Sequence, residues 1–179
     1  MLREAERREQ AHTSDFRLKR GEICPGDRAA VLARSRTGQR SAFVMRWGFG
    51  LDKRLVFNAR SESASDKPMF RDSMRQRRCL VPASGYFEWD HREPKPPRYL
   101  FAPEEGGMMF MAGLYRPEAS PVGHAFTILT RDAAPELAPF HPRMPVILTG
   151  EYAAQWLDHG QPALPLLEHA DASLMWQLA

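Results

Sequence analysis

The chain has 179 residues, with 25 Lys+Arg against 22 Asp+Glu, 43% apolar residues and two cysteines, a composition that suits one soluble globular domain over residues 1–179. No apolar run approaches the roughly 20 residues a membrane helix needs, and the polar start Met1-Leu2-Arg3-Glu4 is no secretory signal, so a cytoplasmic protein without a membrane partner is expected. Cys24 and Cys79, 55 positions apart, make neither a disulfide framework nor a C-x-x-C knuckle, and no metal or cofactor is expected.

Charge is unevenly spread. Residues 1–100 hold 22 basic and 13 acidic side chains, whereas residues 101–179 hold 3 and 9. Arg outnumbers Lys 21 to 4, and the guanidinium fork suits bidentate phosphate contacts, so the first half invites a polyanion. The competing reading is a set of charges that merely solvates a surface.

In chain order, residues 2–12 read as a short charged helix with Glu4 and Arg8 one turn apart. After the turn signal Cys24-Pro25-Gly26 come two strands, Arg28 to Arg34 and Ser41 to Trp47, joined as a hairpin through Thr37-Gly38-Gln39. Arg54 to Asn58 reads as a strand, and Lys67-Pro68 opens a helical run to about Arg77. Strands follow at Arg78 to Val81, Gly85 to Trp89, Tyr99 to Ala102, Met108 to Tyr115 and Ala125 to Thr130. Four prolines between Ala133 and Pro145 predict one helical turn and a stiff loop holding His141, before a strand at Val146 to Leu148 and a helix at Glu151 to Leu157. The expected fold is α+β, mainly antiparallel strands curled into an open barrel with short flanking helices.

Four segments carry candidate chemistry. In Gly85-Tyr86-Phe87-Glu88-Trp89, strand alternation sets Glu88 among aromatics, where desolvation would raise its pKa and suit it to proton transfer; the alternative is an edge-strand Glu in water. His141 and Arg143, two apart in a proline-stiffened loop, would serve as general acid and phosphate-binding cation, or simply be solvated. Asn58 offers both donor and acceptor to a substrate, with Arg60 and Glu62 following, although a strand-terminal Asn also makes Asx turns. Trp47, beside Gly48 and Gly50, is placed to stack on a base or to plug the core.

Asn58-Ala59-Arg60-x-Glu62, Arg78-Cys79-x-x-Pro82-Ala83-x-Gly85-x-Phe87-Glu88-Trp89, Met111-Ala112-Gly113-Leu114-Tyr115 and His141-x-Arg143-Met144-Pro145, in this order and spacing, closely resemble the SOS-response-associated peptidase (SRAP) family. The resemblance runs from about Gly21 to Leu157. It implies binding of single-stranded DNA at abasic sites and, in the intact family form, a covalent thiazolidine crosslink through an N-terminal cysteine exposed by autoproteolytic Met removal. Asn58, Glu88 and His141 would then be catalytic, with Arg60 and Arg143 on flanking phosphates and Trp47 as an apolar wedge. The family's Met-Cys-Gly-Arg opening is absent, so a chain shortened at its front, losing a sheet strand, is expected, and its end is expected to fall short of the family's closing strand. Cys79 reads as a buried filler and Cys24 as a turn thiol with no adjacent amine. The alternative function is a non-catalytic single-stranded nucleic-acid binding module.

Overall fold

The computed structural model describes residues 21–119 and 122–179, so the helix expected over residues 2–12 lies outside the described residues. Strands β1 (Arg28–Arg34) and β2 (Arg40–Trp47) form the predicted antiparallel hairpin, with Ala29, Val31 and Ala33 buried on one face of β1. A second hairpin, β3 (Phe49–Leu51) and β4 (Arg54–Val56), hangs from the end of β2 and returns the chain to β5 (Asn58–Arg60). The single strand expected from Arg54 to Asn58 is thus divided at Phe57. There the chain leaves β3, and the Phe57 carbonyl accepts instead from the Ile128 amide at 3.0 Å and from Trp47 Nε1 at 2.8 Å.

Strand β10 (His124–Asp132) organises the rest. It runs parallel to both β2 and β5, with Phe126 opposite Trp47 and Ile128 opposite Asn58, so these two short pairings follow one another along one of its edges. Its other edge pairs antiparallel with β9 (Met109–Pro117) and β11 (Arg143–Pro145). Because β1 also pairs with β6 (Arg78–Ala83) and β6 with β9, the path β10-β2-β1-β6-β9 returns to β10. Strand β12 (Ile147–Leu148) extends it beside β9.

The expected open barrel is therefore corrected. The fold is α+β with a ring-like, mostly antiparallel sheet, and the strands are not curled as one sheet into a barrel. The nine-residue β10 is long enough to share its edges among four partners, which draws the main path into a ring. The remaining strands pair elsewhere, β3 with β4, and β7 (Tyr86–Trp89) with β8 (Arg98–Pro103) and β13 (Leu174–Leu178). Strand β13 has no signature in the sequence, since only Leu174 of its five residues is buried and no alternation marks it.

Four short helices complete the described residues: α1 (Ser61–Ala64), α2 (Pro68–Gln76), α3 (Gly150–Trp156) and α4 (Ala163–Leu167). Pro68 occupies the first turn of α2, where its missing N–H costs nothing. Period-two alternation along β6 sends Leu80 towards Phe70, Met74, Trp156 and Leu166 of the helices, and Cys79 and Val81 to the opposite face with Val31, Met45, Met111 and Phe126. Phe101 of the three-stranded sheet packs into that second cluster and ties the two sheets together. Gly85 makes their junction possible, because a Cβ there would lie 2.6 Å from the Phe101 carbonyl oxygen.

Candidate functional site

A cavity of about 760 Å³ opens between the ring-like sheet and the β7–β8 pair. Trp47, Asn58, Tyr86, Glu88, Trp89 and Cys24 are among its lining residues, drawn from β2, β5, β7 and the turn before β1. Residues 47 and 58 meet only because the β3–β4 hairpin loops out and returns. Gly48 permits that departure: its φ is +112°, its amide donates to the Phe126 carbonyl at 2.7 Å, and a Cβ there would lie 3.0 Å from Leu55 Cβ.

The Trp47 ring lies parallel to Phe126, centroids 6.4 Å apart, with Phe57 edge-on at 6.0 Å, while its Nε1–H donates to the Phe57 carbonyl. The indole is therefore both anchored and half-buried, combining the two alternatives raised by its sequence context. Asn58 and Arg60 share one exposed face of β5, with Ala59 buried between them. Among the described residues the Arg60 guanidinium has no hydrogen-bonding or ionic partner.

Glu88 is half-buried, and burial pushes its carboxyl above the usual carboxylate range, opposed in part by the charges of His141 and His91 and by the Trp89 backbone amide. Tyr86, on the same face of β7, is raised by burial and by the Glu88 charge. A carboxyl raised in this way by burial is easier to protonate than a solvated one, which suits it to proton transfer.

His141 reaches this neighbourhood through an aromatic anchor. Phe140 packs edge-on against Tyr99 at 4.9 Å and Phe101 at 5.3 Å, and Tyr99 lies directly opposite Glu88 in the β7–β8 register. The His141 Nδ1 faces the Arg143 carbonyl oxygen at 2.8 Å and the Arg143 amide at 3.1 Å. One backbone residue thus supports either tautomer, leaving Nε2 as acceptor in the first and donor in the second.

The Arg143 side chain does not present a bare guanidinium. It takes both Glu62 oxygens at 2.8 Å, donates to the Thr130 carbonyl at 2.7 Å and pairs with Asp132. The Arg143 hydrogen bond draws the Glu62 carboxyl below its usual range. Burial works against the Arg143 charge, but Glu62 and Asp132 outweigh it and hold the guanidinium more firmly charged. Glu62 appears in the sequence only as an acid near Arg60; nothing local signals a partner 81 residues away.

The structure thus gathers Trp47, Asn58 and Glu88 around one cavity, brings His141 near enough for its charge to act on Glu88, sets Arg60 at the end of β5, and engages Arg143 in an ion-pair network. Cys24, read as a turn thiol, also lines the cavity, whereas Cys79 is fully buried with its thiol pKa pushed up by desolvation. Among the described residues no three His, Cys, Asp or Glu side chains are grouped to hold a metal ion, and no helix is long and apolar enough to cross a membrane.

The abasic site processing protein YoqW of Bacillus subtilis is 34% identical over 128 residues, covering 64% of this chain and 56% of that protein. The abasic site processing protein HMCES of Rattus norvegicus is 29% identical over 180 residues, covering 75% of this chain and 51% of its own length. The chain therefore spans about half the length of these curated relatives. Among solved structures, a phage-related protein of Bordetella bronchiseptica superposes with a TM-score of 0.77 at 24% identity, over 93% of this chain and 86% of that one, a likeness of fold. The family model for the SOS response associated peptidase matches residues 2–177, and the chain belongs to the SRAP family.

Proposed function

We propose that this chain binds single-stranded DNA at abasic sites, receiving the opened deoxyribose in the cavity lined by Asn58, Glu88 and Trp47. The observation that carries the reading is the desolvated Glu88 carboxyl on the wall of a space of about 760 Å³, close enough to His141 for the imidazole charge to act on it. Opening the sugar hemiacetal to its aldehyde requires a proton to leave the anomeric hydroxyl and another to reach the ring oxygen. Glu88 and His141 supply that pair, Asn58 orients the sugar, and Trp47 offers an anchored ring face to a neighbouring base. Arg60 contacts a flanking phosphate. Arg143 contributes through its ion-pair network or by exchanging Asp132 for a phosphate.

In the intact family form, a free α-amine on an N-terminal cysteine attacks the aldehyde carbon, water leaves to give a Schiff base, and the thiol adds across the C=N bond while nitrogen takes the proton. An α-amine with a pKa of about 7.7–8.0 is partly neutral at physiological pH, which suits this attack. Position 2 of this sequence is Leu. The test compares the polypeptide of residues 1–179 with the same polypeptide headed by a segment starting Met-Cys-Gly-Arg, each incubated with abasic single-stranded DNA and resolved under denaturing conditions. The headed form is expected to give a denaturant-stable adduct that Glu88→Gln or His141→Ala slows. Failure of the headed form to crosslink would remove the catalytic reading and leave a binding module.

A further inference from the structure

A second recess, about 860 Å³, lies at the opposite end of β6 from Pro82 and Ala83 of the cavity already described, between α2 and the 159–165 segment. Arg71, Arg75, Arg78 and His159 line it, and none of its lining residues is acidic. Arg71 and Arg75 stand one turn apart on α2, exposed, with no partner among the described residues. Arg78 forms the inner wall. It is 1% exposed, stacked over Trp156 at 5.0 Å, and fixed by donation to the carbonyls of Asp158 and Gln161. Its Nε, and the buried Nε2 of His159, have no hydrogen-bond partner.

Unpaired Arg Nε atoms also occur at Arg34, Arg77, Arg131 and Arg143, so what sets this recess apart is its lining: three guanidinium groups and an imidazole with no acidic residue among them. The carboxylate whose charge acts on His159, Asp158, faces Arg34 at 3.5 Å. Its charge favours His159 protonation, as does a hydrogen bond to the Arg78 backbone, but burial and the charges of Arg78 and Arg34 prevail and hold the imidazole below its ordinary pKa. The local field is one that an anion would relieve, and guanidinium groups match the tetrahedral oxygens of phosphate.

We propose that this recess is a phosphate-binding site, formed by Arg71, Arg75, Arg78 and His159 and separate from the Glu88 cavity. Its ligand is a phosphate ester, either the terminal group of a free nucleotide or a phosphodiester of a bound strand. The inference does not depend on the abasic-site reading.

The experiment titrates the 179-residue polypeptide with inorganic phosphate, a deoxynucleoside monophosphate and an intact single-stranded oligonucleotide without lesions, following the His159 imidazole by NMR. Binding should shift the His159 resonance and raise its pKa, as an anion offsets Arg78 and Arg34. Arg71→Ala/Arg75→Ala, at exposed positions where folding should be unaffected, should weaken binding at least about tenfold, while Asn58→Ala leaves this response unchanged. Response to phosphate or the monophosphate identifies a free-nucleotide site; response to the oligonucleotide alone, lost in the double variant, identifies a strand contact. No His159 response to any of the three, or equal affinity in the folded double variant, overturns the proposal.

Discussion

Glu62→Gln tests how the His141 loop is held. Glu62 places two oxygens at 2.8 Å from a guanidinium whose side chain is 16% exposed, yet its own side chain is 53% exposed. Charge-assisted hydrogen bonds are worth about 1.5–3 kcal/mol when shielded, but exposed ion pairs only about 0–1, and the half-exposed geometry brings this pair to about 1 kcal/mol. Glutamine keeps one acceptor and loses the charge, so a loss of about 0.5–1 kcal/mol is expected near neutral pH. Because Arg143 lowers the Glu62 pKa in the folded state, its stabilisation is fully present above the unfolded value, about 4.3, and is lost as pH falls through the folded one. Urea unfolding of both proteins across this range should show a gap that closes in acid. A gap of equal size at every pH, or none near neutrality, would refute the assignment of Glu62 as the ionic brace of Arg143.

Glu88→Gln should act in the opposite sense: a carboxyl whose folded pKa is raised destabilises the fold as pH climbs above its unfolded value, so the variant should be more stable by about 1 kcal/mol near neutrality, with no gain in acid, as urea titrations would show. Gly85→Ala should lower stability by about 2 kcal/mol or more in thermal melts, since the added methyl meets the Phe101 backbone carbonyl rather than a movable side chain. Arg60→Ala should leave the melting temperature unchanged and reduce the salt slope of single-strand binding by about 0.7, measured by anisotropy at several ionic strengths. Trp47→Phe, which retains a ring but drops the bond to the Phe57 carbonyl, should retain more affinity than Trp47→Ala, for which a loss of about 1–3 kcal/mol is expected.

What was legible in the sequence follows local physics. The β1–β2 hairpin, the proline-initiated α2 and the alternation that buries Glu88 beside Tyr86 each depend on neighbours within a few residues, and each is visible in the pattern. The ring could not be read, because it rests on β10 sharing its edges with β2, β5, β9 and β11, pairings made across long stretches of chain. Strand β13 carries no apolar alternation, and its partner β8 lies far back in the sequence. At the site, residue types drew attention to Asn58, Glu88, His141 and Trp47, and the fold brings Asn58, Glu88 and Trp47 to one cavity. The Phe140 anchor, the Glu62–Arg143 brace and the placement of Cys24 on the cavity wall emerged only from the fold.

The most direct measurement of the central claim is equilibrium binding of the 179-residue polypeptide to two single-stranded oligonucleotides, identical except that one carries a single central abasic site. The account predicts at least about tenfold tighter binding to the abasic strand, with the preference, though not the salt-dependent background, lost in Asn58→Ala. Equal affinity for the two strands, or a preference that survives loss of Asn58, would contradict it.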